Sequence, residues 1–239
     1  MNEDQPMQAL PSFFLSRPPM PTDAKTIAGF EALCERALGG DGAAIDYDLA
    51  APKWQFLCYL ADTKSIVLHG SGNADIKIFE PRKSDDVNAF GDRKAVYAAS
   101  DGLWPMYFAI LDRDRYPMSL INSSARIDLG DGQRGEPLYF FSITAKALAQ
   151  RPFRRGTIYL LPRDTFEQQQ PERYGDQTIH LPQWASLVPV KPLAKLFVGP
   201  EDFPLLGQMR GHDDETTFAR ARANPAGFPW VEDEATAPD

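Results

Sequence analysis

The sequence predicts a protein of the α+β class built around one main domain. Helical apolar spacing occupies the region up to about residue 60, and short apolar and β-branched runs separated by turn residues follow it. Helices and strands that are segregated along the chain in this way are typical of α+β folds. A length of 239 residues fits one large domain with extensions.

Two helices are expected before residue 65. Thr22 or Asp23 can cap the first, and apolar residues at positions 27, 30, 33, 34 and 37 recur at helical spacing until Gly39-Gly40. The second helix is expected to start after Pro52. The proline-rich stretch 1–21 is predicted to be an extended arm that docks on the body through residues 13–15.

The rest of the chain predicts mainly strands. The expected strands are 66–68, 95–99, 138–143, 157–161 and 189–198, and a helix is expected at 104–111. Residues 112–135 are rich in Asp, Arg, Gly and Ser, which suggests an insertion with one strand at 118–122. The domain is therefore predicted to span 22–200, with its core at about 60–200. Residues 201–239 are expected to form an irregular wrap that ends in an acidic tail.

Charge and cysteine content narrow the functional classes. The formal net charge of −8 argues against an extended nucleic-acid surface. No apolar run approaches the ~18 residues that a membrane-spanning helix needs, so no membrane partner is expected. Cys34 and Cys58 lie among apolar residues and predict buried thiols in a reducing cytoplasm. His69, His180 and His212 are too widely separated to predict a metal site.

One local feature suggests a binding site. His69 ends an apolar run and is followed by Gly70-Ser71-Gly72, where glycine lets the backbone approach a flat ligand. A histidine at the end of a strand that simply bonds its own loop is the alternative. Tyr97 lies 28 residues further on, inside the apolar run 95–99, and either lines a site or belongs to the core.

These segments resemble the ADP-ribosyltransferase superfamily. A strand with His-Gly-Ser, a second strand with a tyrosine and a following helix occur in the same order here. Further along, the segment 155–162, then Phe166-Glu167 before Pro171, and finally 188–193 resemble the small bacterial enzymes that ADP-ribosylate rifamycins. The segment 88–90 is similar to a loop of those enzymes. The resemblance covers about residues 60–200.

The resemblance implies two split, bent β-sheets around a cleft that binds NAD, preceded here by N-terminal helices. It implies that His69 orients the ribose, that the Gly70 backbone pairs with the carboxamide, and that Tyr97 stacks on nicotinamide. Ser71 would bond a ribose hydroxyl or cap the turn. Glu167 would stabilise the cationic sugar as nicotinamide leaves. The activity implied is transfer of ADP-ribose from NAD to an acceptor that the sequence does not reveal.

The acidic segment departs from the family pattern. Consecutive acids are expected before the proline, whereas Glu167 is followed here by three glutamines. Glu172 and Asp164 are alternative acids. If the catalytic position falls on a glutamine, the protein would be an inactive module of the same fold that binds a nucleotide, an RNA end or a protein. An unrelated α+β protein is a third interpretation.

Overall fold

Two seven-stranded sheets with helices between and beside them form the protein in a computed structural model, which describes residues 12–39, 41–84 and 89–231. The helices are α1 Ala24–Leu38, α2 Lys53–Thr63, α3 Trp104–Ile110, α4 Ala145–Leu148 and α5 Asp214–Ala223. The strands are β1 Leu15–Ser16, β2 Ala43–Ala44, β3 Ile66–Ser71, β4 Val96–Ala99, β5 Leu120–Gly130, β6 Gln133–Arg134, β7 Leu138–Thr144, β8 Gly156–Pro162, β9 Glu167–Gln168, β10 Glu172–Tyr174, β11 Gln177–His180, β12 Gln183–Ser186, β13 Ala194–Val198 and β14 Arg210–His212. The predicted α+β class is confirmed.

The first sheet has the order β1-β7-β5-β11-β10, with β14 also beside β7 and β6 beside β5. The second sheet has the order β2-β13-β8-β3-β4-β12-β9. Strands β1 and β14 pair with different parts of the same edge of β7, at Leu138–Tyr139 and at Ser142–Thr144. The short connection between β9 and β10 carries the chain from the second sheet to the first.

Helix α3 lies between the two sheets. The Tyr107 hydroxyl donates to the carbonyl of Ser142 in β7 at 2.8 Å, which ties the helix to the first sheet. On the other side, a Cβ atom added to Gly70 or Gly156 would collide with the α3 carbonyls of Pro105 or Ala109. The helix backbone therefore rests directly on β3 and β8, an approach that glycine alone permits.

The second sheet has two buried faces. Its inner face, which contacts α3, includes Leu68 and Leu160 in the main hydrophobic core. Its outer face includes Val67 and Leu161 in a smaller core that Phe79 covers. Successive residues of a strand point to opposite faces, so the register decides on which face each side chain lies.

The early helices form where the sequence predicts them. The Asp23 side chain accepts from the Thr26 amide at 2.8 Å, which supplies the N-cap of α1, and α2 starts directly after Pro52. The predicted docking of the arm is also found, because Phe13 packs edge-on against Phe140 with ring centroids 5.8 Å apart. Both cysteines are free and buried.

Three segments differ from expectation. Residues 120–130 form the long strand β5, not an insertion with a short strand, because pairing with β7 and β11 satisfies the backbone of this polar segment. The C-terminal part is not irregular throughout, since it contains β14 and α5. Helix α5 is polar, so its sequence gives no apolar helical pattern. The Asp213 side chain caps this helix by accepting from the Thr216 amide. The strand predicted at 189–198 begins only at Ala194 because Pro189 and Pro192 lack amide donors. Residues 1–11, 85–88 and 232–239, including the acidic tail and Asn88, lie outside the described residues.

The C-terminal strand is held by a buried histidine. His212 is 4% exposed, and its Nδ1 and Nε2 atoms lie 2.7 Å from the hydroxyls of Ser142 and Ser119 respectively. Ser142 belongs to β7 and Ser119 immediately precedes β5. The imidazole thus links β14 to both central strands of the first sheet.

A buried aspartate joins the start of α3 to the first sheet. Asp101 is 5% exposed and accepts hydrogen bonds from the amides of Leu103 and Trp104 and from the hydroxyl of Tyr139. We expect Asp101→Ala to lower the free energy of unfolding by about 2–4 kcal/mol, because three buried donors lose their acceptor. Urea unfolding checks this, with the exposed Asp164→Ala as the matched control. Equal midpoints for the two variants would contradict the assignment.

Candidate functional site

His69 projects from the outer face of β3 and reaches the neighbouring strand. Its Nδ1 atom lies 2.6 Å from the Tyr97 carbonyl oxygen, and its ring packs against Phe79 with centroids 4.7 Å apart. A carbonyl can only accept, so Nδ1 carries the hydrogen and Nε2 remains an acceptor. Burial lowers the pKa of His69 below its ordinary value of 6.5, so the imidazole is neutral near pH 7.

The second sheet splits where His69 lies. Strand β3 pairs with β8 as far as Ser71, but its pairing with β4 is confined to Leu68 opposite Ala99. The Ser100 amide donates to the Pro182 carbonyl, so even-numbered residues of β4 direct their backbone groups towards β12 and odd-numbered ones towards β3. By the same alternation, the amide and carbonyl of Gly70 point into the split. The His69 imidazole forms a hydrogen bond with the Tyr97 carbonyl at the point where the backbone pairing of β3 with β4 would otherwise continue.

Tyr97 turns its ring to the other face of this sheet. Its strand neighbours Val96 and Ala98 belong to the outer core, so the phenol lies on the inner face. Its hydroxyl shares one hydrogen between the carbonyls of Phe90 and Arg93, each 2.9 Å away. The expectation that the His69 and Tyr97 rings line one shared crevice is therefore not met. The register puts Gly70, not His69, across from Tyr97.

Glu167 shares the inner face with Tyr97. Both residues are register partners of Ala185 in the intervening strand β12, so all three point the same way. The Glu167 carboxylate is 61% exposed and accepts from Arg93 Nη1 at 3.1 Å. Because Arg93 also provides a carbonyl to the Tyr97 hydroxyl, this arginine joins the two predicted site residues. An exposed ion pair of this kind contributes at most about 1 kcal/mol.

The other candidate residues of the acidic segment are less suited to act as the catalytic acid. Gln169 is 5% exposed, and its amide donates to Glu172 Oε1 at 2.6 Å, which engages Glu172 as well. Asp164 lies in an exposed turn. Ser71 accepts from the Asn73 amide at 3.1 Å, which matches the turn-capping alternative. Glu167 is thus the acid that the fold places with Tyr97.

Two contributors were not recognised as parts of the site from the sequence. Phe79, which covers the His69 ring, lies in an irregular segment whose pairing with Val190 has no local signal. The pairing of Arg93 with Glu167 depends on a contact between segments 74 residues apart, which no local pattern indicates. Trp104 and Tyr107 belong to the core, as the helical spacing suggests, whereas Phe108 is only half-buried.

The chain matches no family model, no curated protein and no solved structure. Surface cavities of about 400 and 510 Å³ lie beside Arg173 and Arg220, and neither includes His69, Tyr97 or Glu167. Within the described ranges, no three His, Cys, Asp or Glu side chains group as metal ligands. The helices among these residues are all too short or too polar to cross a bilayer.

The contact between Gly70 and α3 predicts that no larger side chain is tolerated at position 70 without loss of stability. We expect Gly70→Ala to lower the free energy of unfolding by about 1–3 kcal/mol, because the methyl group meets the Pro105 carbonyl, which cannot move without the helix. Gly207→Ala is the matched control, since nothing lies near its added methyl group. Chemical unfolding of both variants measures the difference, and a Gly70→Ala protein as stable as the control would refute the close packing.

The lowered pKa of His69 predicts a pH-dependent stability. Acidification protonates the unfolded chain first, so the contribution of the neutral imidazole is complete above pH 6.5 and is lost as the pH falls towards the folded pKa. We expect the stability difference between wild type and His69→Gln to shrink from about pH 7.5 to about pH 5. His212, whose pKa burial also lowers, is present in both proteins and cancels. A difference that grows on acidification would contradict the assignment.

Proposed function

We propose that this protein transfers ADP-ribose from NAD to an acceptor and releases nicotinamide. The observation that carries the proposal is the split between β3 and β4, where the Gly70 amide and carbonyl and the neutral His69 imidazole meet. An amide and a carbonyl side by side are the complement of a carboxamide. The resemblance in the order of the His-Gly-Ser, tyrosine and Gly-Thr-Ile-Tyr segments supports the same activity and an ADP-ribosyltransferase-like fold.

The two rings lie on opposite faces of the second sheet, so the proposal requires one extended ligand to contact both faces at the split. For such contact β3 and β4 would have to move further apart, because the His69 imidazole bonds to Tyr97 across the split and α3 packs against Gly70 on the inner face. In this arrangement the nicotinamide would lie against Tyr97 on the inner face, and a ribose hydroxyl would donate to His69 Nε2. The fixed tautomer suits this role, because the Tyr97 carbonyl holds the hydrogen on Nδ1 and leaves Nε2 as an acceptor.

The chemistry requires little beyond orientation and charge. The bond between the ribose carbon and the nicotinamide nitrogen breaks, and its electron pair leaves with nicotinamide. The acceptor then forms a new bond to that carbon and loses a proton. Positive charge develops on the sugar meanwhile, and the Glu167 carboxylate on the inner face would stabilise it. Glu167 must exchange its contact with Arg93 for one with the substrate to do so.

A second candidate is a module of the same fold that binds a nucleotide without transfer. The exposure of Glu167 and its ion pair with Arg93 favour this alternative, because a carboxylate surrounded by water stabilises a cation less than one in a dry pocket. The glutamines that follow Glu167 favour it as well. The two candidates share the His69 site and differ in whether nicotinamide is released.

Incubation with NAD labelled in the nicotinamide ring tests the proposal. We expect nicotinamide release by the wild type and about 10²-fold less by Glu167→Gln, because one charge-stabilising group is lost. The exposed Glu35→Gln is the matched control. His69→Ala should abolish turnover, whereas His180→Ala, on the first sheet, should not. Binding of NAD without nicotinamide release would favour the second candidate, and turnover that survives His69→Ala would reject the site.

A further inference from the structure

Two arginine-rich segments run side by side at the end of β3. The Asp112 amide donates to the Pro152 carbonyl at 2.9 Å, the Arg154 amide donates to the Ile110 carbonyl at 2.8 Å, and Leu111 pairs with Phe153. These contacts pair residues 110–112 antiparallel with residues 152–154, so the segments 111–116, which continues into a turn, and 151–155 lie side by side. Together the segments hold five arginines, no lysine and two aspartates, a net charge of +3 in a protein of net charge −8.

The arginines divide into one structural residue and an exposed group. Arg154 Nη1 lies 2.6 Å from the Asp114 carboxylate and 3.5 Å from the Asp112 carboxylate, so it forms ion pairs with both aspartates. The other four side chains are exposed, and no described carboxylate forms an ion pair with them. We call these four the arginine surface: Arg113, Arg115, Arg151 and Arg155.

The arrangement is electrostatically unfavourable for the isolated protein. Because the Asp112 amide bonds to the Pro152 carbonyl, Arg113 and Arg151, which adjoin this bonded pair in the chain, lie near each other where the paired stretch ends. Like charges that are brought close together repel each other. The nearby carboxylates are engaged with Arg154, so the repulsion is not offset within the protein. An anionic partner would remove it.

The arginine surface adjoins the split of the second sheet. Gly72, which directly follows β3, lies against the Arg154 guanidinium, and a side chain at this position would collide with it. Ser71 pairs with Thr157, two residues after Arg155. A molecule bound along the arginine surface therefore ends close to the His-Gly-Ser strand.

We propose that the arginine surface binds the phosphate backbone of single-stranded nucleic acid. Guanidinium groups bind phosphates in a bidentate manner, which suits a surface with arginine and no lysine. Two half-buried aromatic side chains, Tyr116 and Phe153, lie within the same segments; Phe153 packs partly against the main core, and Arg115 lies over the Tyr116 ring at 5.4 Å. Arginines interspersed with aromatic rings are typical of single-strand binding, where bases stack between phosphate contacts.

Four arginines limit the size of the site. They can contact three or four phosphates, which fits a short strand and not an extended duplex surface. If the proposed transfer is also correct, this inference supplies its acceptor class, a nucleic-acid strand that the arginine surface leads to the split. The binding itself does not require NAD, so it can be tested separately from the transfer.

Fluorescence anisotropy with a labelled single strand of about 12 nucleotides, as RNA and as DNA and without NAD, tests the proposal. We expect the logarithm of the association constant to fall with the logarithm of salt concentration with a slope of about −2 to −3. Arg113→Gln/Arg151→Gln should weaken binding roughly tenfold or more and reduce the slope by about 1.4, the value for two lost contacts.

The matched control is Arg134→Gln/Arg222→Gln, which removes the same charge from exposed positions elsewhere. Equal weakening by both double variants would overturn the proposal, since net charge alone would then explain it. Binding of polyphosphate or of a phosphopeptide as tight as that of the strand would overturn the nucleic-acid assignment. Strand binding without NAD turnover would reject only the proposed function. NAD turnover without strand binding would reject only this inference.

Discussion

The contact of helix α3 with the second sheet is the constraint on which the rest of the structure depends. The helix backbone rests on Gly70 in β3 and on Gly156 in β8, while Tyr107 reaches across to the first sheet. This contact sets the spacing between the sheets and fills the main core. It also fixes the inner face of β3, so that His69 must project outwards and the backbone of Gly70 is held at the split.

Local signals in the sequence are sufficient for much of this fold. Helices α1 and α2 were predictable because an aspartate cap and a proline mark their starts, and β3, β4, β7 and β8 because their apolar runs are bounded by turn residues. Strand β5 and helix α5 were not, because both are polar and are stabilised by pairing or capping. Short strands such as β9 contain too few residues to produce a pattern.

The candidate site was predictable only as far as its strands. That His69 and Tyr97 lie on neighbouring strands follows from the resemblance, but their faces depend on the register of β3 against β4. A shift of one residue reverses every side chain of a strand, and no local pattern fixes that shift between segments 28 residues apart. The ion pair between Arg93 and Glu167 depends on the same long-range geometry. Composition likewise gives the net charge but not the clustering of arginines in two segments that meet only in the folded chain.

Strand β7 has one edge that two remote parts of the chain share. Strand β1 pairs with the first half of this edge and β14 with the second half. Gly211 of β14 lies 195 residues after Ser16 of β1 in the sequence. An uncovered edge strand is a template for intermolecular pairing. A growing chain therefore keeps half of this edge open until β14 has been synthesised, and a shortened chain that lacks β14 would be prone to self-association through β7.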